Sequence, residues 1–470
     1  MKKGLILGLT GATLFVAACS ADPLSVPNLN SPTVAGAAGD AAALQLQATG
    51  VLRQQRGMVT GYITTTARFG REGYIYTPNE GRNTSHYLIG LAGFNKLDPA
   101  GFAVGTWGGN YNNLRDLYNL KNVITGLTTL SATQKSAGLG FARTLEAIEL
   151  LYVIATRDSI GAVVDINPDA SVLAPFVSRD SVYKYILSTL NTADAELAAG
   201  GAAFPFALHA GYAGFNTPTT FRLFNRAVTA RAAVYYATRG GGATAYTQAQ
   251  TAIAASFLNR TPANAAAMKV GVNLVFSTAT GDGTNGVGEN ADYLVHPSYA
   301  TDIQAGDLRV SKWTVLGVPR NAPQGLGIAT SLSMNVYPLK TTVVPVIRNE
   351  ELVLLDAEIR WNTGDKPGAI ADLNQVRLIS GGAGIGASAA IVASTDAAFI
   401  TALLYERRFS LMSEGNRWVD HRRFGLLALL PRDLTTGVNA HFVARVMPLP
   451  QGECLVRARS SDPLLAGPGC

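Results

Sequence analysis

Apolar side chains recur at every third or fourth position over long stretches of this chain, and the stretches come in pairs. Trp107, Tyr111, Leu114, Leu117 or Tyr118, Val123 and Ile124 line one helix face over Trp107 to Leu127. Leu139, Ala142, Leu145, Ile148, Tyr152 and Ala155 do the same over Thr133 to Thr156. Between them, Leu130-Ser131-Ala132-Thr133 carries helix-start chemistry, so the two segments predict an antiparallel hairpin. Ser178 to Leu197 and Thr219 to Thr238 form a second pair, and Tyr246 to Asn259 adds a shorter helix. Arg348 to Thr363 and Lys366 to Arg377 form another pair around Asn362-Thr363-Gly364-Asp365, where Gly364 suits a helix C-terminus. The prediction is a mostly α fold of tetratricopeptide-like helical hairpins. No strict repeat of about 34 residues accompanies them, so the sequence alone does not predict a regular solenoid.

Long irregular stretches separate the helices: about Arg68 to Gly105, about Gly271 to Val346 and about Ser380 to Ser394. Loops of this length in a compact protein are functional or disordered. Their aromatics argue against disorder. Tyr74, Tyr76 and Tyr87 fall in the first, and Tyr293, Tyr299, Trp313 and Tyr337 in the second. Flat, rigid aromatic rings stack on the C–H faces of sugars at low entropic cost. Tyr74, Tyr76, Tyr87, Trp313 and Tyr337 are therefore the candidate ligand contacts, in a loop-rich half packed against the hairpins.

Glu406 to Gly425 is dense in charge within a chain only 15% charged, and its ions are mixed with Phe409, Leu411 and Met412. Ions that pack must be paired. Glu406, Glu414 and Asp420 are expected to meet some of Arg407, Arg408, Arg417, Arg422 and Arg423, because guanidinium binds carboxylate in two places. Glu351 and Glu358 share a helix face, with Arg348 and the same arginines as expected neighbours. Arg348, Glu351, Glu358, Glu406, Arg407, Glu414, Arg417 and Asp420 thus form an expected structural ion network. The competing reading of Glu351 and Glu358 is a general acid and base of a surface glycoside hydrolase.

Other chemistry finds little support. Ser413-Glu414-Gly415 is no nucleophile elbow, because Leu411 stands where the first glycine must be. The five histidines lack zinc-site spacing, so no metal or cofactor is expected. Gly381 to Gly386 follows no clear strand and is no phosphate cradle. Asp282 to Gly286 only faintly resembles a calcium loop, with Tyr293 where the closing glutamate belongs. The formal charge of +6, two of it from Lys2 and Lys3, comes without a basic run and argues against nucleic acid.

The N-terminus reads as a secretion signal: Lys2-Lys3, an apolar run from Leu5 to Val16, small residues, then Cys19. Val16-Ala17-Ala18-Cys19 fits the bacterial lipobox. Residues 1–18 are the expected signal peptide, Cys19 the lipidation site, and 19–39, rich in Pro, Asn, Ser, Ala and Gly, a tether. Ser20 after the cysteine is similar to lipoproteins sorted to the outer membrane. Cys454 and Cys470 remain, and in an oxidising envelope compartment they could pair.

The ordered string of Glu406-Arg407-Arg408, Glu414-Gly415, Arg417-Trp418, Asp420, Arg422-Arg423 and Gly425 resembles the C-terminal signature of the SusD/RagB family of nutrient-uptake outer-membrane lipoproteins. Three more segments resemble that family in the right order: Arg348 to Glu358, Leu373-Asn374-Gln375-Val376-Arg377, and Met447-Pro448-Leu449-Pro450-Gln451-Gly452-Glu453. Val163-Val164 and the tail 460–470 depart from its pattern. The resemblance implies one SusD-like domain over 40–470, with a helical core at about 101–260 and 347–378. Ligand-side loops would lie at about 68–105 and 271–346, and the signature region at about 396–453. It implies a non-catalytic binding protein, anchored by lipid to the outer membrane and facing outward. Such a protein captures oligosaccharides or peptides and passes them to a SusC-like TonB-dependent transporter. An anchored hydrolase or esterase, or a helical envelope scaffold, is the alternative.

Overall fold

The structure, a computed structural model, describes residues 41–91, 94–166, 169, 172–383, 391–457 and 470. The expected signal, Cys19, the tether, Gly384 to Gly386 and most of the tail lie outside the described residues.

The first helix, α1 (Ala41–Phe69), was not among the expected ones. Three glycines and a threonine cluster dilute its helix propensity. Its buried face is nonetheless regular: Leu44, Ala48, Val51, Leu52, Gln55, Val59, Tyr62, Ile63, Thr66 and Ala67. Packing, not propensity, holds it helical. The expected pairs follow as α2 (Trp107–Gly126), α3 (Ala132–Arg157), α4 (Arg179–Ala198), α5 (Pro218–Tyr236) and α6 (Gly242–Ala254). Ser131 caps α3 in a full capping box with Gln134, and Thr217 caps α5 in the same way with Thr220. Each of these helices packs on the next. A β-carbon on Gly140 would stand 2.9 Å from the Ala193 carbonyl oxygen and 2.7 Å from Leu197 Cγ, so glycine permits the close approach of α3 and α4.

The C-terminal hairpin is α7 (Asn349–Asn362) and α8 (Lys366–Val376), turned at Gly364, where φ is +101°. α9 (Asp396–Ser410) closes over it. Val353, Leu354, Ala357, Trp361, Leu373, Phe399 and Leu403 form their shared core. The Trp361 and Phe399 rings stack at 4.2 Å. The short α10 (Arg417–Arg423) packs on α1, placing Trp418 against Phe69 at 5.0 Å.

The stretches expected to be irregular hold six short strands. These are β1 (Gly73–Ile75), β2 (Gly271–Leu274), β3 (Tyr293–Val295), β4 (Trp313–Arg320), β5 (Thr330–Met334) and β6 (Val344–Arg348). Most are too short for alternation to register in sequence. Four form an antiparallel sheet in the order β1-β3-β5-β4, with Gly73 opposite Val295 and Trp313 opposite Met334. β2 pairs with β6, Gly271 opposite Arg348, and β6 runs directly into α7. That junction carries Arg348 and Glu350 to the site described next.

Candidate functional site

A cleft of about 550 Å³ opens where the β6–α7 junction meets the loops around Leu308 and Tyr337. Val336, Val343 and Pro345 supply an apolar side. Arg309, Lys312, Arg348, Glu350 and Glu414 supply charge. The cleft lies within the range typical of small-ligand sites.

Its rear wall is built on Ser410, the last residue of α9. The Ser410 carbonyl accepts from Arg348 Nη2 at 2.7 Å and from the Lys312 ammonium. The Ser410 hydroxyl accepts from Arg309 Nη1 at 3.0 Å. Arg309 is also bound to Asp307 at 2.7 Å and to Glu406 at 2.6 Å, and Glu406 accepts Arg377 Nε at 2.8 Å. Arg348 spans Glu414, at 2.7 Å, and Glu350. Burial on its own would raise the Glu350 carboxyl, but Arg348 and then Lys312 outweigh it and hold it down at about 2. Burial pushes the half-buried Lys312 ammonium down to about 8.

The ion pairs of the C-terminal segment differ from expectation. Asp420 meets two arginines of its own segment, Arg407 at 2.7 Å and Arg423 at 2.9 Å. Glu406 and Glu414 are instead met from elsewhere, by Arg309 and Arg377 and by Arg348. α9 turns Glu406 toward the end of α8, away from α10. Glu351 pairs with Arg231 at 2.7 Å rather than with Arg348, and Glu358 with Arg423 at 2.6 Å. Arg417 has no carboxylate within ion-pair reach among the described residues. It donates to the Arg71 carbonyl at 3.1 Å, and burial lowers it to about 10.

The aromatics singled out as ligand contacts are packing residues. Tyr74, Tyr76, Tyr87, Trp313 and Tyr337 are 2 to 5% exposed. Tyr74 donates to Asp433 at 2.7 Å, and Trp313 packs edge-on to Tyr299. Tyr337 alone lines the cleft, its hydroxyl spent on the Ser413 carbonyl at 3.0 Å. Aromatic side chains in long loops were chosen by location, and location does not reveal which way a ring turns.

The exposed aromatics among the described residues are two phenylalanines that the sequence reading does not single out: Phe94, 78% exposed, and Phe102, 41%. Phe102 is held from both sides. Its N–H donates to His86 Nδ1 at 3.0 Å, and its carbonyl accepts from Tyr87 at 3.1 Å. The Arg82 guanidinium lies 4.6 Å from its ring centre and the His86 imidazole 5.1 Å. Arg82 is itself steadied by Glu80 at 2.8 Å. Tyr87 thus anchors the backbone of a partly exposed ring that carries the Arg82 guanidinium over one face.

One further string escapes sequence reasoning. Ser298 Oγ lies 2.8 Å from His296 Nδ1, and His296 Nε2 lies 2.8 Å from Asp433 Oδ1. None of the three lines the cleft. The serine hydroxyl also accepts Arg408 Nη2 at 2.8 Å, and the Ser298 N–H donates to Nδ1 at 3.1 Å. These bonds tie the loop around Asp433 to the sheet. The faint calcium loop is likewise occupied by the fold: Asp282 pairs with Arg56 at 2.7 Å.

A comparison with curated proteins finds no match. The SusD family model matches residues 329–448, which run from β5 through α10 and contribute half of the charged cleft. Among solved structures, a SusD superfamily protein from Bacteroides thetaiotaomicron superposes with a TM-score of 0.65 at 16% identity, covering 90% of this chain and 98% of that one. Surface glycan-binding protein A from Bacteroides uniformis gives 0.65 at 15%, covering 91% and 100%. Surface glycan-binding protein A from Bacteroides thetaiotaomicron, in complex with laminarihexaose, gives 0.60 at 11%, covering 88% and 97%. At these identities the structures speak for the fold, which is the mostly helical SusD-like one. Over residues 329–448 the chain is similar to the SusD family, and over most of its length it has the fold of SusD superfamily proteins.

Proposed function

We propose that this protein is a lipid-anchored glycan-binding subunit that captures oligosaccharides at the cell surface and delivers them to a TonB-dependent outer-membrane transporter. The observation that carries the reading is the Phe102 platform. A ring fixed through both of its own backbone groups, partly open to solvent, with Arg82 over one face and His86 packed against it, offers apolar surface and hydrogen-bond donors to a sugar. Two proteins of the same fold bear the name surface glycan-binding protein. Attachment would come through Cys19; among the described residues no helix is long and apolar enough to cross a membrane. The helical hairpins would dock the transporter.

The protein acts here as a binder without chemistry. Glu351 and Glu358, the carboxylates considered for glycoside cleavage, are each locked to an arginine, and neither lines the cleft. Native affinity gels cast with a panel of polysaccharides test the proposal. At least one glycan retards the wild-type protein, and Phe102→Ala restores free migration. Retardation by none of them, or equal retardation of both proteins, contradicts it. Purification of the tagged chain from its own membranes tests the partner: the transporter is recovered with it.

A further inference from the structure

The charged cleft holds a polar atom that the fold leaves unanswered. Glu350 is 5% exposed, and its Oε2 is bound by Arg348, yet its Oε1 is buried with no hydrogen-bond partner. The Ser380 and Ser410 hydroxyls lie against the carboxylate and help hold it ionised. Leaving an ionised carboxylate oxygen unpaired away from water is costly, so such an atom in a cleft wall points to a donor from outside the chain. Lys312 lies close enough to act on Glu350 electrostatically, but its ammonium bonds to the Ser410 carbonyl. An ammonium has three donors, so Lys312 retains capacity for a ligand.

We infer that this cleft binds one sugar residue through a vicinal diol, one hydroxyl donating to Glu350 Oε1 and its neighbour accepting from Lys312 Nζ. The inference rests on the reading of the protein as a glycan binder, and adds to the surface platform a second, enclosed subsite with which it shares no residue. The chemistry matches on three counts. Adjacent hydroxyls offer a donor and an acceptor side by side, as a carboxylate and an ammonium require. Val336, Val343 and Pro345 form an apolar side for the C–H face of the ring. The wall behind is held by the Ser410 network, so the polar groups are fixed before a ligand arrives.

The test is calorimetric titration of the full chain with methyl glycosides of glucose, galactose, mannose and N-acetylglucosamine, and with glycine and alanine as small zwitterions. At least one glycoside binds, and its analogue lacking one hydroxyl of the diol binds about ten- to a hundredfold more weakly. Glu350→Gln and Lys312→Gln each weaken binding by a similar factor. Lys312→Gln keeps the test valid if Glu350→Gln fails to fold, since Lys312 is half-buried and its hydrogen bond goes to the Ser410 carbonyl rather than to a carboxylate. Glycoside binding lost in both cleft variants while polysaccharide retention persists assigns the cleft, whereas loss of polysaccharide retention in Phe102→Ala bears on the surface platform alone. Binding of no glycoside, binding indifferent to both cleft variants, or binding of the zwitterions in preference to glycosides overturns the inference.

Discussion

Buried ions decide which single residues this fold can least spare. Arg423 is enclosed between Glu358 and Asp420, so Arg423→Met strips buried Glu358 of its arginine and leaves Asp420 with Arg407 alone. The expected loss is about 3 to 5 kcal/mol in chemical denaturation. Arg417→Met, which strands no carboxylate within ion-pair reach, costs markedly less in the same measurement. Glu149 behaves in the opposite sense. It is fully buried on α3, and burial pushes its carboxyl up to about 7 against hydrogen bonds from Asn113 and Asn110. A carboxyl whose pKa is higher in the folded state binds protons more tightly there. Its contribution is therefore complete below about 4.5 and lost as pH rises through about 7. Glu149→Gln should stabilise the protein at pH 8, by at most about 3 kcal/mol, and give little gain at pH 4.5. An equal effect at both pH values would contradict the assignment. None of this was legible beforehand: charge density in Glu406 to Gly425 announced a network, but pairing depends on which helix face meets which loop.

At the scale of elements, periodicity and capping carried much of the fold. Ser131 was readable as a helix start because its neighbours resumed a three-four apolar spacing, and it caps α3. Ser131→Ala is expected to cost about 1 kcal/mol. Gly364 was readable for the same reason at the opposite end of a helix. α1 was not, since its glycines and threonines speak against a helix and only its partners make it one. The strands were hidden by their shortness. Gln451–Arg457, the last described helix, is joined through Cys454 to Cys470. The bridge closes a loop of 16 residues. In the chain-entropy account, replacing both cysteines by serine lowers stability by up to about 3 kcal/mol. Non-reduced protein with two reactive thiols would contradict the bridge.

For the whole molecule, the resemblance to the SusD family was legible and the orientation of the loop aromatics was not. The C-terminal motifs were long enough to compare, whereas a platform depends on the orientation of two phenylalanines in a loop whose tyrosines turned inward. The resulting picture is a helical scaffold whose signature segment does two tasks: its arginines bind distant segments together, and its Glu414 lines a cleft whose Arg348 is held by the Ser410 carbonyl. Glycan capture is its central claim, and one measurement tests it most directly. Isothermal titration with the glycan retained in affinity gels is made for the wild-type protein and for Phe102→Ala, with folding checked by circular dichroism. The account predicts saturable binding by the wild type and a loss on the order of 2 kcal/mol, about thirtyfold in Kd, for the variant. Identical binding curves for the two folded proteins would contradict it.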